Sequence, residues 1–362
     1  MDINIVLQQY QADWKSGKQD SALANLECLV ENQVSSILPF HTLAKWHFLK
    51  NQHSKTVQLS DTVRRNFPSS SSKHLNSIYL HAAQSAKILE DKANISQNLG
   101  RINLSILRHP KQLRILSELA HFVREYELEV LGWTQLYEVS GNKTYANRAE
   151  SAQELSQIRP DFREMQFSGL MIQHLVDECN INTVLDVGSG GGEQSQILRE
   201  FGKEVTELDF GDSYYFSTRG DDLHYIRGDF LEIDLPNKYD CVLLSHVLEH
   251  QPNVNLFLKK VRETVKPGGY VAISVPKRKD EIVGGHLTIW NAGLLLYNLV
   301  FAGFDCSEPW IRQYGYNISV VIRAKRIEVP DLHYDTGDID RLSDYLPKGF
   351  SEGFDGSITK YP

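Results

Sequence analysis

The run from Thr183 to Leu198, Thr-Val-Leu-Asp-Val-Gly-Ser-Gly-Gly-Gly-Glu-Gln-Ser-Gln-Ile-Leu, constrains this chain more than any other stretch. Val184, Leu185 and Val187 form an apolar run of strand length. Gly188, Gly190, Gly191 and Gly192 follow. They can take positive φ and let another molecule approach bare backbone. Glu193 to Leu198 then opens a helical pattern. A strand, a glycine turn and a helix N-terminus together make a seat for a nucleotide-like ligand. Two common occupants of such a turn are excluded. The dinucleotide pattern Gly-x-Gly-x-x-Gly fails at its last glycine, where Glu193 stands, and no Gly-Lys-Ser/Thr follows to cradle a phosphate. What remains is an acid at the strand end, Asp186, followed by Gly-x-Gly-x-Gly.

Strands and helices alternate around this run. Patterning predicts strands at 183–187, 204–209, 223–227, 239–245, 270–275 and 315–323, with helices near 193–201, 253–265 and 291–302. Arg159-Pro160-Asp161 breaks the preceding helical pattern and sets a domain boundary, so the alternating region is expected to span 161–327. The expected fold is α/β: a Rossmann-like, doubly wound, mostly parallel sheet with helices on both faces. Ligands of such sheets bind beyond the carboxyl ends of the strands. The second strand ends in Glu207-Leu-Asp209, about 20 residues past the glycine turn, where a carboxylate can accept both hydroxyls of a ribose. Asp209 follows the strand most directly, and Glu207 is the alternative. The third strand leads into Gly228-Asp229-Phe230. The fourth reads Tyr239-Asp240-Cys-Val-Leu-Leu-Ser245-His246-Val-Leu-Glu249-His250, and Val265-Lys-Pro267-Gly268-Gly269 comes after the next helix.

Asp186 with its glycine turn, the Gly228-Asp229 pair, and the series Asp240-x-Val to Leu248-Glu249-His250 to Pro267-Gly268-Gly269 resemble the motifs of the class I S-adenosylmethionine (SAM)-dependent methyltransferases. The resemblance covers residues 160–325. It implies the class I methyltransferase fold and SAM as cofactor. An acid suits SAM, which carries an ammonium and a sulfonium and no phosphate. Carried over by position, it implies that Asp186, Gly188, Gly190, Gly192, Asp209, Asp229, Phe230 and Ser245 bind the cofactor, with Asp229 at the adenine amino group. The Leu-Glu-His ending and the later His286-Leu-Thr-Ile-Trp290 and Ala302-Gly303-Phe304 look most like the branch that methylates small molecules, quinone precursors and sugars. The expected activity is O-methylation of a small molecule or sugar, in surface-glycan or secondary-metabolite tailoring. The alternatives are a protein methyltransferase and an inactive scaffold that retains the fold.

Methyl transfer from SAM needs acceptor and methyl held in line. A hydroxyl acceptor also needs a base or a metal. His246, Glu249 and His250 are the candidate catalytic residues at the mouth of the sheet. A sharper expectation is a divalent metal held by His246, Glu249, His250 and the distant His286. Some methyltransferases carry Glu-x-x-Glu-His here, whereas this chain has His246 in place of the first Glu. A nitrogen-rich set favours zinc or another transition metal over magnesium. The plainer reading is that Glu249 only makes hydrogen bonds and His250 packs beside the cofactor. Lys277-Arg278-Lys279-Asp280-Glu281 with Gly284-Gly285 suggests a charged lid over an anionic acceptor, or a solvated face. Tyr214, Tyr215 and Phe216 are candidates for the acceptor pocket, ahead of Trp290, Tyr314 and Tyr316.

Residues 1–160 read as almost entirely helical. Ala44, Ala82 and Ala120 recur at one spacing, and Pro68 and Pro110 close two of the units. That pattern predicts helical hairpins that bury a face by stacking, and it loosely resembles tetratricopeptide repeats. Such a region would carry a protein partner or self-association, or form an irregular bundle. The polar run Pro68 to Lys73 is a turn between helices. The tail, 328–362, is polar and acidic, with Phe350, Phe354 and Tyr361 as anchors. The net charge of −8 argues against a general nucleic-acid surface. No apolar run reaches membrane-spanning length. The four cysteines form no Cys-x-x-Cys pair, so a cytoplasmic, reduced protein is the expectation.

Overall fold

A computed structural model describes residues 3–32, 35–68, 72–163, 165, 167–218 and 225–362. Part of the serine run, 69–71, and the start of the third expected strand, 223–224, lie outside the described residues. The chain divides into two compact units, Met1–Ser156 and Gln157–Pro362, so residues 328–362 belong with the second.

The first unit is helical: α1 (Ile3–Lys15), α2 (Gln19–Glu31), α3 (Ile37–Leu49), α4 (His53–Asn66), α5 (Lys73–Ile88), α6 (Lys92–Leu99), α7 (Pro110–Phe122), α8 (Tyr126–Ser140) and α9 (Lys143–Ser156). Side chains start several of these helices. Ser36, Ser72 and Asp91 cap α3, α5 and α6 by accepting a backbone N–H of the first turn, and Pro110 opens α7. Gly141 stops α8 at φ +68°. Ala44, Ala82 and Ala120 are fully buried on α3, α5 and α7, the first helices of three successive hairpins. Each first helix packs on its own partner, and α3 packs on α5 and α5 on α7, as stacked hairpins do. At α8 the approach is close: a Cβ on Gly132 would lie 2.2 Å from Ser117 Oγ of α7.

The second unit carries β1 (Thr183–Val187), β2 (Glu204–Asp209), β3 (Tyr225–Arg227), β4 (Tyr239–Ser245), β5 (Val265–Pro276), β6 (Trp310–Tyr314), β7 (Asn317–Arg323) and β8 (Lys360–Tyr361). The sheet order is β3-β2-β1-β4-β5-β7-β6-β8. The strands from β3 to β5 pair in parallel, and β7, β6 and β8 are added antiparallel. Helices α10 (Pro160–Arg163), α11 (Gly169–Asp177), α12 (Glu193–Glu200), α13 (Val254–Thr264) and α14 (Ala292–Phe301) accompany the strands. Val184, Leu185, Val242, Leu243, Leu244, Val271 and Ile273 are fully buried, as strands covered on both faces must be.

The sequence pattern missed β6, because Trp310-Ile-Arg-Gln-Tyr314 mixes polar and apolar residues, and its last expected strand, 315–323, took the turn after β6 together with β7. Gly315, at φ +47°, makes that turn a hairpin into β7. In the tail, Phe350 and Tyr361 pack against the core and β8 pairs with β6. Asp240 sits at the opposite end of β4 from His246. Its carboxylate accepts Thr183 N (2.9 Å), Asn182 N (3.1 Å) and Lys266 Nζ (2.8 Å). Burial opposes its charge, but these donors outweigh burial and hold its carboxyl well below the usual range.

The helical unit contains histidines that resist protonation. Burial pushes the His41 imidazole down to about 4, helped by the charges of His74, His81 and Lys45. Burial also lowers His47 and His81, against opposing hydrogen bonds from Glu27 and the Ser77 carbonyl. The unfolded chain takes these protons near pH 6.5. Their contribution to stability is therefore complete above that pH and lost as pH falls toward 4. Thermal unfolding followed by circular dichroism should show a midpoint that falls across this window, and His41→Gln should shrink the fall. An unchanged fall in that variant would show that His41 does not contribute to the acid limit.

Candidate active site

The sheet reverses its direction of winding at β1, which pairs with β2 on one side and β4 on the other. The loops leaving β1 and β4 therefore diverge and open a mouth at their carboxyl ends. Gly188 N and Ser189 N both donate to Leu208 O, at 2.7 and 3.3 Å. Asp209, buried at the end of β2, accepts Gly190 N on Oδ2 (2.9 Å) and Gly211 N on Oδ1 (2.7 Å). One carboxylate thus holds the glycine loop and the turn after β2 together. Gly188, Gly190 and Gly192 have φ of +72°, +51° and +82°, values that disfavour any side chain. A Cβ on Gly188 would sit 2.4 Å from Val247 Cγ2. Asp186 is buried and accepts the Ser195 hydroxyl at 2.6 Å, which ties α12 to β1. Glu207, the alternative to Asp209, is also buried and pairs with Arg199.

At the end of β3, Asp229 Oδ1 accepts Leu231 N (2.8 Å). The Phe230 ring is buried against Phe257, centroids 5.0 Å apart, so only its backbone is available to a ligand. At the end of β4, Ser245 Oγ is 2.7 Å from Ser168 Oγ. His246 follows with φ +57°, a strained conformation for a non-glycine residue that often marks a site. Its Nε2 lies 2.9 Å from Asn317 Oδ1 and its Nδ1 lies 3.2 Å from Glu249 Oε1. Ser168 N donates to the same Asn317 oxygen, which fixes the amide. Both ring nitrogens of His246 are thus engaged by protein acceptors, Asn317 and Glu249, which makes this side chain a brace.

Glu249 is 1% exposed, and its Oε2 has no hydrogen-bond partner. His250 Nδ1 donates to Gly285 O at 2.8 Å, which leaves Nε2 with its lone pair, 3.9 Å from Glu249 Oε1. The His286 ring stands 5.1 Å from that of His250. Burial pushes the His286 imidazole below its ordinary range; Glu249 opposes this, and His250 and His246 add to it. Ligand atoms of Glu249, His250 and His286 all lie within 4.8 Å of one another. An orphaned buried carboxylate oxygen beside two imidazoles fits a divalent ion. The expected set of four narrows to three. His246 stands apart from it, because Asn317 and Glu249 occupy its two nitrogens.

Aromatic rings border the mouth. Phe167 lies 4.4 Å from His246 and 5.9 Å from Tyr215, and Tyr316 stacks on His246 at 5.6 Å. Lys279 Nζ sits 4.7 Å from the Tyr316 ring, which brings the basic loop to this edge. Tyr214 is mostly exposed, and Trp290 and Tyr314 are buried. Tyr314 bonds Ser319 Oγ, and burial pushes its phenol up to about 12. Sequence reasoning did not single out Phe167, Ser168 or Asn317. They come from a segment before α11 and from the antiparallel hairpin, outside the motifs of the parallel strands.

Residues 147–309 match the methyltransferase domain family Methyltransf_23. The match falls mainly on the second unit, whose mostly parallel sheet with flanking helices has the class I methyltransferase fold. Among curated proteins, the chain is similar to the ubiquinone biosynthesis O-methyltransferase of Shewanella pealeana, 36% identical over 103 residues, 26% of this chain and 44% of that protein. It is also similar to the enzyme of the same name from Proteus mirabilis, 35% identical over 150 residues, 39% of this chain and 60% of that one. The chain thus spans about half the length of the relatives it matches. Among solved structures, it aligns with a SAM-dependent methyltransferase from Archaeoglobus fulgidus at 17% identity and a TM-score of 0.37, covering 45% of this chain and 96% of that one. Another is the 1,6-didemethyltoxoflavin-N1-methyltransferase of Burkholderia thailandensis, at 18% identity and 0.36, covering 61% and 92%.

The crowding at Gly188 makes a direct prediction. Gly188→Ala adds a methyl against Val247 in a backbone conformation unfavourable to alanine, and should lower the unfolding free energy by about 1–3 kcal/mol. Urea unfolding of parent and variant measures this. A difference below about 0.5 kcal/mol would mean that the loop relaxes freely.

Proposed function

We propose that this chain transfers a methyl group from SAM to a hydroxyl oxygen of a small molecule or sugar. The observation that carries the reading is the buried Glu249 carboxylate, with one oxygen unpartnered, beside His250 and His286 at the same strand ends as the glycine loop. The methyltransferase domain match supports the chemistry, and the O-methyltransferase names of the relatives support oxygen as the acceptor.

The bare backbone of Gly188, Gly190 and Gly192 and the carboxylate of Asp209 are suited to hold SAM, with Asp186 keeping α12 and the loop in place. Asp229 and the backbone of Phe230 would meet the adenine, and Ser245 closes the floor at β4. Bound SAM supplies an electrophilic methyl on its sulfonium. Phe167, Tyr215 and Tyr316 hold a flat or apolar acceptor against that methyl and exclude water. His250 Nε2 takes the hydroxyl proton while Gly285 O keeps the ring in the needed tautomer. If instead a divalent ion is present, Glu249, His250 and His286 would be its ligands, the His250 Nε2 lone pair would be spent on it, and the ion would ease loss of the hydroxyl proton in place of that base. His246 positions Glu249 and does not act as base.

No helix among the described residues is long and apolar enough to cross a membrane. Free cysteines fit a reducing cytoplasm. The helical unit would hold a protein partner or a second copy of the chain.

Calorimetric titration with SAM and with its demethylated product, before and after a chelator and alongside elemental analysis, tests the cofactor and the ion together. Both compounds should bind the parent, and Asp209→Ala should weaken them at least tenfold. With labelled SAM and a panel of catechols and sugars, His250→Ala should lower turnover by about 10²–10⁴ while SAM affinity is kept. Failure of the parent to bind either compound would remove the reading. Binding that survives the chelator, with no metal found, would leave His250 as base and remove the ion.

A further inference from the structure

The helical unit contains a polar cavity of about 220 Å³ that methyl transfer does not use. Arg64, Ser72, Asn76, Tyr79 and Arg101 line it, with Phe67 and Leu75 as its apolar wall. We propose that this cavity binds a phosphate group, either free or as the monoester of a small molecule.

The argument starts at Arg101, whose side chain is 9% exposed. Its Nη1 donates to Ser60 Oγ and Asn98 Oδ1, both at 3.3 Å, and its Nη2 to Asp61 Oδ1 at 2.9 Å. A guanidinium has five N–H donors. Nε–H is buried and has no partner. Leaving that buried donor unpaired holds the guanidinium in place at a cost of about 1–3 kcal/mol, and the second Nη2 N–H, which has no partner among the described residues, is the one left for an acceptor. The placement is built. Asn76, 2% exposed, accepts Asn103 N (2.9 Å) and donates to Asn103 O (2.8 Å), which locks the turn that carries Arg101.

The rest of the lining has the same sense. Arg64, in the last turn of α4, makes no ion pair among the described residues, so its charge is uncompensated while Asp61 balances Arg101. The Tyr79 hydroxyl has no hydrogen-bond partner among the described residues. Burial raises its pKa against the two facing guanidiniums, which leaves the phenol a donor. The α5 helix opens beside the cavity with Ser72 as its cap and brings its positive end there. Donors approach from α4, from two turns of α5 and from the turn after α6. Such a spread suits a tetrahedral anion better than a planar carboxylate. The volume equals roughly seven waters, enough for a phosphate with a small body and too little for a nucleotide.

The test uses the full chain. Isothermal titration with inorganic phosphate, glucose 1-phosphate and acetate, at constant ionic strength, should show saturable binding of a phosphate compound and none of acetate. Arg64→Ala and Tyr79→Phe, whose side chains support no other contact named here, should each weaken binding at least fivefold with unchanged circular dichroism. Tighter binding of the sugar phosphate than of phosphate would identify the monoester as the ligand, and the reverse would identify the free ion. No saturable phosphate heat in the folded parent, or equal binding by Arg64→Ala, would overturn the proposal. SAM titration of the same samples separates this outcome from any failure of the methyltransferase reading.

Discussion

Parallel pairing of β1 with β2 on one side and β4 on the other decides where polar groups of the second unit can lie. Strands covered on both faces leave no interior room for charge, so ionisable side chains collect at the strand ends. At one end, Asp240 gathers Thr183, Asn182 and Lys266 and fastens the start of β1 to β4 and β5. At the other, Asp209 fastens the glycine loop to the turn after β2. The same sheet thus carries a structural clamp below and an open mouth above, and chain direction alone separates the two roles.

Within the mouth, the polar groups divide into those already engaged and those left available. His246 has acceptors on both sides and works as a brace between β4, Glu249 and Asn317 of β7. His250 is braced on one nitrogen only. This distinction separates two histidines that look equivalent as letters four positions apart. It depends on Gly285 and Asn317, which arrive from a loop and from an antiparallel strand far along the chain.

The contrast describes what the sequence made legible. The parallel core was readable because buried strands, a glycine turn and acids at strand ends are local patterns; the bounds of β1, β2 and β4 follow from them directly. The three hairpins around Ala44, Ala82 and Ala120 were readable because stacking repeats one local solution. β7 was readable as an apolar run, but its hairpin partner β6 was not, since β6 has mixed polarity and owes its place to pairing with β7 and β8. Nor were Phe167, Ser168 and Asn317, which reach the mouth only through tertiary folding. The metal set was half legible: residue types suggested four ligands, and only geometry shows which nitrogen of each is already taken.

The two margins of the sheet are short. Among the described residues, β3 has three residues at one edge and β8 has two at the other, where it covers part of β6. A long bare strand edge is a template for pairing with other chains. Here each margin offers only a few unpaired backbone groups, and the tail supplies one of them itself. The fold therefore guards against edge-to-edge aggregation through the acidic tail, one of whose aromatic anchors, Tyr361, lies in the capping strand itself.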